Sequence, residues 1–221
     1  MKMERRFAFF DFDGTLIDGD SIVSLLPFAK GKGFPVHLGK GLEGGLAYKL
    51  GRCSDKEGKE RALSFLKGLS PEETAPLAQA FCRERLLPRL REKGRAELQR
   101  LSREGYALWL VSASPDFYLE PLKQELPFER IIATRMEVDA AGLYTGKIDG
   151  ENCRGIQKPL RLAEILSSLG QQVDYEHSRA YGDSAGDAPL LNLCGTKVCV
   201  NAKRGLRREM AKDPGAVFVK W

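Results

Sequence analysis

Three short apolar runs in this chain each end on a residue that can do chemistry. Residues 5–11 read RRFAFFD, residues 106–112 read YALWLVS and residues 179–183 read RAYGD. Each is about strand length with an apolar stretch running up to its end, the pattern of a strand covered on both faces. A fourth run, TKVCV, spans 196–200. Helical patterns lie between the later runs, at 116–126, 156–169 and 186–193. Strands alternating with helices predict an α/β fold built on a mostly parallel sheet. In such sheets ligands gather outside the carboxyl ends of the strands. The residues that end these runs are therefore the first candidates for function.

Residues 18–90 have a different texture. SIVSLLPFAK, KGLEGGLAYKLG, KEGKERALSFLKGL and PEETAPLAQAFCRERLLPRL all read as helices punctuated by Gly or Pro, and none as a strand. The expected organisation is a core formed by 1–17 and 91–221, with a helical cap inserted over 18–90. Residues 137–148, EVDAAGLYTGKI, hold two β-rich halves around Ala-Gly and predict a hairpin beside the main sheet.

Composition narrows the function classes. Apolar residues are 43% of 221, enough for a sizeable core, and charged residues are 29% with mixed signs. The net charge of +5 is spread along the chain without a Lys/Arg tract. That suits a small anionic partner and argues against nucleic acid. No apolar run approaches the roughly 18 residues of a membrane span. MKMERRFAFF lacks the apolar region of a signal peptide, so a cytoplasmic location is expected. Five cysteines without a CxxC predict reduced, mostly buried thiols. Nothing in the sequence specifies an oligomer.

Four motifs carry the chemistry. Asp11-Phe12-Asp13-Gly14-Thr15 closes the first strand. Two carboxylates two residues apart can share a crevice while Phe12 points into the core. Their mutual repulsion calls for a cation or a shared proton. Asp11 can attack phosphorus, and Asp13 can protonate a leaving alcohol and then activate water. Gly14 permits a sharp turn beside a ligand. Ser112-Ala113-Ser114 follows the second strand, where a hydroxyl and backbone N–H groups can hold phosphate oxygens; serine there is also a common helix cap. Lys158 can neutralise phosphate and Asp11 together, although most lysines are simply solvated. Asp183 and Asp187, in GDSAGD, offer two carboxylates near a helix start and suit Mg²⁺; a capping loop would look the same.

Taken together and in order, these motifs resemble the haloacid dehalogenase superfamily of aspartate-nucleophile phosphatases. The insert resembles the C1-type helical cap of its phosphoserine-phosphatase-like group, subfamily IB. The resemblance implies a Rossmann-like parallel core closed by that cap. It implies Asp11 as nucleophile and Mg²⁺ ligand. Asp13 becomes general acid/base, binding Mg²⁺ through its backbone carbonyl. Asp183 becomes the third metal ligand, Ser112, Ala113 and Lys158 the phosphate holders, and Thr15 and Asp187 supports. The chain departs from phosphoserine phosphatases in having Gly14 where they usually have Ser, Ala113-Ser114 where they usually have Gly-Gly, and Asp20 in place of a substrate-binding Glu. Arg61 lies near the place of their carboxylate-binding cap arginine.

Other features read more simply as structure. Gly39-x-Gly41-x-x-Gly44 matches a dinucleotide fingerprint but follows no strand. His37 and His177 read as surface residues, 22–28 as core packing, and Arg204, Arg207 and Arg208 as a solvated helix face. The function expected is Mg²⁺-dependent hydrolysis of a small phosphorylated metabolite. Phosphoserine, another amino-alcohol phosphate such as histidinol phosphate, and a lipid head-group phosphate all stay open. So do phosphotransfer to an alcohol and a catalytically dead binding module. Dehalogenation is disfavoured, because a departing halide needs no acid such as Asp13.

Overall fold

A computed structural model of the chain describes residues 4–37, 39 and 53–221. The expected helix at 40–51, with Gly41 and Gly44, lies outside the described residues. The core is a six-stranded, all-parallel sheet. Its strands are β1 (Phe7–Phe10), β2 (Ala107–Pro115), β3 (Arg130–Thr134), β6 (Arg179–Gly182), β7 (Thr196–Val200) and β8 (Ala216–Val219), in the order β3-β2-β1-β6-β7-β8. The chain winds outward from β1 to β2 and β3, then returns to the other side of β1 for β6 to β8. That reversal opens a crevice at the carboxyl end of β1, the usual place for a ligand in such sheets.

β1 is buried at every position because both faces of the sheet are covered. Phe7 and Phe9 pack on one side with Ala107, Trp109 and Val111. Ala8 and Phe10 pack on the other with Leu108, Leu110 and Tyr181. The aromatic rings interlock, with Phe7 edge-on to Trp109 at 5.2 Å and Phe10 stacked on Tyr181 at 4.1 Å.

The antiparallel hairpin β4 (Met136–Val138) and β5 (Tyr144–Ile148) falls where the Ala-Gly pair predicts it. Strands β3 and β8 and the helix Glu92–Arg103 are additions to the sequence reading. β3 is a brief apolar run without alternation, β8 is a half-exposed edge strand, and the helix buries only Gly94, Leu98 and Leu101.

The inserted segment holds α1 (Ser21–Gly31), α2 (Asp55–Ala62) and α3 (Pro71–Phe81), which runs into a widened turn at Cys82–Leu86. Capping boxes start α2 at Ser54-Glu57 and α3 at Ser70-Glu73. The two crossings between insert and core lie side by side, with Ile17 bridged to Leu90 and Arg91 N–H donating to Leu16 O at 2.9 Å. The hairpin joins the insert through Tyr144 N–H to Leu69 O and Gly68 N–H to Tyr144 O, each 2.9 Å. Among the described residues no helix is long and apolar enough to cross a membrane. Cys82, Cys153, Cys194 and Cys199 are buried thiols.

Trp109 binds the central strand to its neighbour through Phe7 and Phe9. Trp109→Ala is expected to lower unfolding free energy by about 3–5 kcal/mol, read from a urea titration.

Candidate active site

The crevice at the end of β1 gathers residues from four separate segments. Asp11 follows β1, and its N–H donates to Tyr181 O at 2.9 Å, locking it to β6. Asp183 and Asp187 follow β6. Lys158 lies in the first turn of the helix Gln157–Ser168, and Ser112 lies on β2. All five are buried.

Lys158 is the centre of the arrangement. Its Nζ donates at 2.6 Å to Asp11 Oδ1 and at 2.6 Å to Asp187 Oδ1. Burial opposes its charge, but the two carboxylates outweigh burial and hold the ammonium above its ordinary value. Burial works against the Asp187 charge too. Lys158 and the Ser184 N–H and hydroxyl overcome it and hold Asp187 below its usual range. Asp11 is left in the opposite condition. Burial, then the charge of Asp187, push it up to about 7 despite Lys158. Its second oxygen, Oδ2, accepts from Thr15 Oγ1 at 2.9 Å.

Close approach of backbone fixes two glycines. Gly14 has φ +81°, and a Cβ there would lie 2.1 Å from Asp183 Oδ2. A Cβ on Gly182 would lie 2.4 Å from that of Asp187. Ligand oxygens of Asp11, Asp183 and Asp187 lie within 4.8 Å of one another. An all-carboxylate set of this kind fits a hard divalent cation such as Mg²⁺. Asp183 Oδ2 is also 2.7 Å from the exposed Lys203 ammonium, which in sequence looks like any solvated lysine.

Asp13 turns away from this triad. Its Oδ1 accepts from Ser21 N–H at 2.8 Å, and its Oδ2 accepts from Ser21 Oγ at 2.9 Å and from the Ser114 hydroxyl. Burial, then the charge of Asp20, raise its carboxyl to about 6. Ser112 Oγ accepts from Ser114 N–H at 3.1 Å, and Ala113 O accepts from Thr134 Oγ1 at 2.7 Å.

The two expected specificity residues separate. Asp20 is exposed beside Asp13 and caps α1, accepting from Ile22 N–H at 2.8 Å. Arg61 is exposed on α2, with Glu57 as a charged neighbour. The cation that α2 sends to the site is Lys59, whose Nζ donates to Ala113 O at 2.9 Å and Asn152 Oδ1 at 2.8 Å. Lys59 sits one turn from Asp55 in a run of alternating charges, where sequence alone cannot tell it from its neighbours.

A family model described as haloacid dehalogenase-like hydrolase matches residues 8–192. The chain belongs to that family. Protein CicA of Caulobacter vibrioides is 30% identical over 188 residues, covering 85% of this chain and 82% of that protein. The phosphoserine phosphatase SerB1 of Mycobacterium tuberculosis is 26% identical, covering 94% and 68%. A histidinol-phosphatase of Neisseria meningitidis is 28% identical, covering 96% of each chain. A Bordetella pertussis protein of unknown function superposes with TM-score 0.87 at 27% identity, over 98% of this chain and 99% of that one. The structure of a phosphoserine phosphatase phospho-aspartyl intermediate analogue, 23% identical, shares the fold at TM-score 0.63, covering 95% and 99%. The chain is a phosphatase-type hydrolase of the haloacid dehalogenase-like family.

The raised Asp11 value has a sign that can be measured. Between pH 3.8 and about 7 the unfolded chain has released this proton while the folded chain keeps it. Folding is therefore increasingly disfavoured as pH rises through that window. A divalent cation, if held by Asp11, would remove the penalty. The increase in Tm produced by Mg²⁺ is expected to be small at about pH 5.5 and to grow to about pH 8. A pH-independent increase would show that Asp11 does not hold the ion.

Proposed function

We propose that this chain is a Mg²⁺-dependent phosphomonoester hydrolase working through an aspartyl-phosphate on Asp11. The observation that carries the reading is the Asp11 carboxylate held by Lys158 and Thr15 beside Asp183 and Asp187 at the sheet's switch point. Thr15 and Lys158 fix Asp11 for in-line attack, so the carboxylate meets phosphorus with little reorganisation. Lys158 and the Ser112 hydroxyl face the charge on the transferred phosphoryl oxygens. Asp11, the Asp13 backbone carbonyl and Asp183 would hold Mg²⁺, which supplies charge neutralisation between two anions. Asp13 gives its proton to the departing alcohol and then takes one from the water that attacks the phospho-enzyme.

The residues beyond the phosphate site support an amino-alcohol phosphate as substrate. Asp20 leaves an exposed carboxylate at the edge of the crevice, suited to an ammonium group. Lys59, the cation facing it, is already engaged by Ala113 O, Asn152 and Asp55, which favours a substrate without a carboxylate, such as histidinol phosphate, over phosphoserine.

Two measurements test the reading. Asp11→Asn is expected to lower phosphate release on the order of 10³-fold or more while the protein stays folded, and EDTA is expected to abolish activity until Mg²⁺ is restored. Substantial turnover by folded Asp11→Asn would end the aspartyl-phosphate mechanism. For substrate class, Asp20→Ala is expected to lower kcat/KM for the amine-bearing phosphate about 10-fold and to leave 4-nitrophenyl phosphate nearly unchanged. Equal losses on both would remove Asp20 from substrate recognition.

A further inference from the structure

The scheme above gives Asp13 a proton to deliver but leaves the hydroxyls around it without a task. Ser21 Oγ lies 2.9 Å from Asp13 Oδ2, 3.0 Å from Ser114 Oγ and 2.7 Å from Tyr118 OH. Ser114 donates to the same Asp13 oxygen. Ser21, Ser114 and Tyr118 are all buried. Three hydroxyls and one carboxyl thus form a closed polar cluster at the base of the crevice. Its members arrive from different elements: Ser21 from the first turn of α1, Ser114 from the end of β2, and Tyr118 from the short helix Asp116–Leu119.

A carboxyl that must reach a leaving oxygen loses effectiveness if it can swing, because proton transfer needs hydrogen-bond reach at the moment the bond breaks. Ser21 holds Asp13 from the side of the insert. Ser114 holds it from the side of the sheet, next to Ser112, whose hydroxyl accepts from Ser114 N–H. An alanine or glycine at 114 would leave Asp13 gripped from the insert alone. Buried polar groups joined in this way also brace one another, so Tyr118 fixes the hydroxyl that fixes Asp13.

We propose that Ser114 is a positioning residue for catalysis: its hydroxyl, braced by Ser21 and Tyr118, aims the Asp13 carboxyl at the leaving oxygen. The assignment rests on the functional reading above. In the step it serves, the Asp11–phosphorus bond forms, the bond from phosphorus to the substrate oxygen breaks, and the Asp13 proton passes to that oxygen. Ser114 neither gains nor loses a proton overall.

The test compares leaving groups. The ratio kcat/KM reports the steps through departure of the alcohol. An alkoxide needs its proton at that point, whereas 4-nitrophenolate leaves without one. In Ser114→Ala and Ser114→Gly, kcat/KM for the best alkyl phosphate of the wild-type protein is expected to fall about 10-fold, and that for 4-nitrophenyl phosphate less than about twofold. Tyr118→Phe should show a smaller fall with the same selectivity, and Ser114→Thr should recover much of the loss. Equal losses on both phosphates, or none on either, would overturn the positioning role. If the Ser114 variants give no cooperative melting transition, Tyr118→Phe decides: a loss confined to the alkyl phosphate supports the role, and any other pattern overturns it. A folded wild-type protein that releases phosphate from neither compound would instead overturn the functional reading, and the positioning role with it.

Discussion

A lysine ammonium buried between two aspartates is the interaction on which the rest of this structure depends. Lys158 and its partners Asp11 and Asp187 are almost wholly removed from water. A lone buried charge costs several kcal/mol, and a buried pair survives only where its remaining atoms are also satisfied. Here Thr15 takes the second oxygen of Asp11, and the Ser184 N–H and hydroxyl take that of Asp187. The group must still carry a surplus. Asp11, Asp183 and Asp187 bring three carboxylates against one ammonium from Lys158, and the exposed Lys203 adds to the positive side. Burial and the charge of Asp187 raise the Asp11 carboxyl accordingly, and a carboxylate set of this kind fits a hard divalent cation. The fold supplies the geometry by winding away from β1 in both directions, so that three chain segments distant in sequence end at one point.

Most of this was legible because chemistry and fold were written in the same residues. Runs apolar on both faces announced buried parallel strands, and the residue ending each run landed at the carboxyl edge of the sheet. Asp11, Ser112 and Asp183 are the residues this pattern carries to that edge. Lys158 was not legible in itself. A lysine in the first turn of a helix looks like any solvated lysine, and only the accompanying motifs gave it meaning. Lys59 and Lys203 had no such company. β3 and β8 escaped notice because four or five residues with modest apolar content do not stand out, and because β8 is half exposed at the sheet edge. The helix Glu92–Arg103 was hidden by charge, since its buried face amounts to Gly94, Leu98 and Leu101. Arg61 shows the limit of carrying a role by spacing. Two residues along α2 separate a side chain turned to solvent from one turned into the crevice, and helical geometry decides between them.

The insert and the core contribute different physics to the site. The core offers buried charges held by their neighbours, Lys158 by Asp11 and Asp187, and Asp11 by Lys158 and Thr15. The insert offers contacts that a ligand can take over. Lys59 reaches across to Ala113 O and Asn152, and Asp55 bonds the Asn152 amide and pairs with Arg154 at 3.4 Å. Burial pulls the Lys59 ammonium below its ordinary value against the attraction of Asp55, Asp20 and Asp13. A substrate carboxylate approaching Lys59 has to displace partners the lysine already holds, so its gain is only the difference between the two sets of contacts. An ammonium approaching Asp20 meets an exposed carboxylate that accepts from Ile22 N–H, and little is displaced. On the proposed function, discrimination between zwitterionic and purely cationic amino-alcohol phosphates would follow from which groups of the insert are already satisfied, while the phosphate chemistry beneath would stay the same for both.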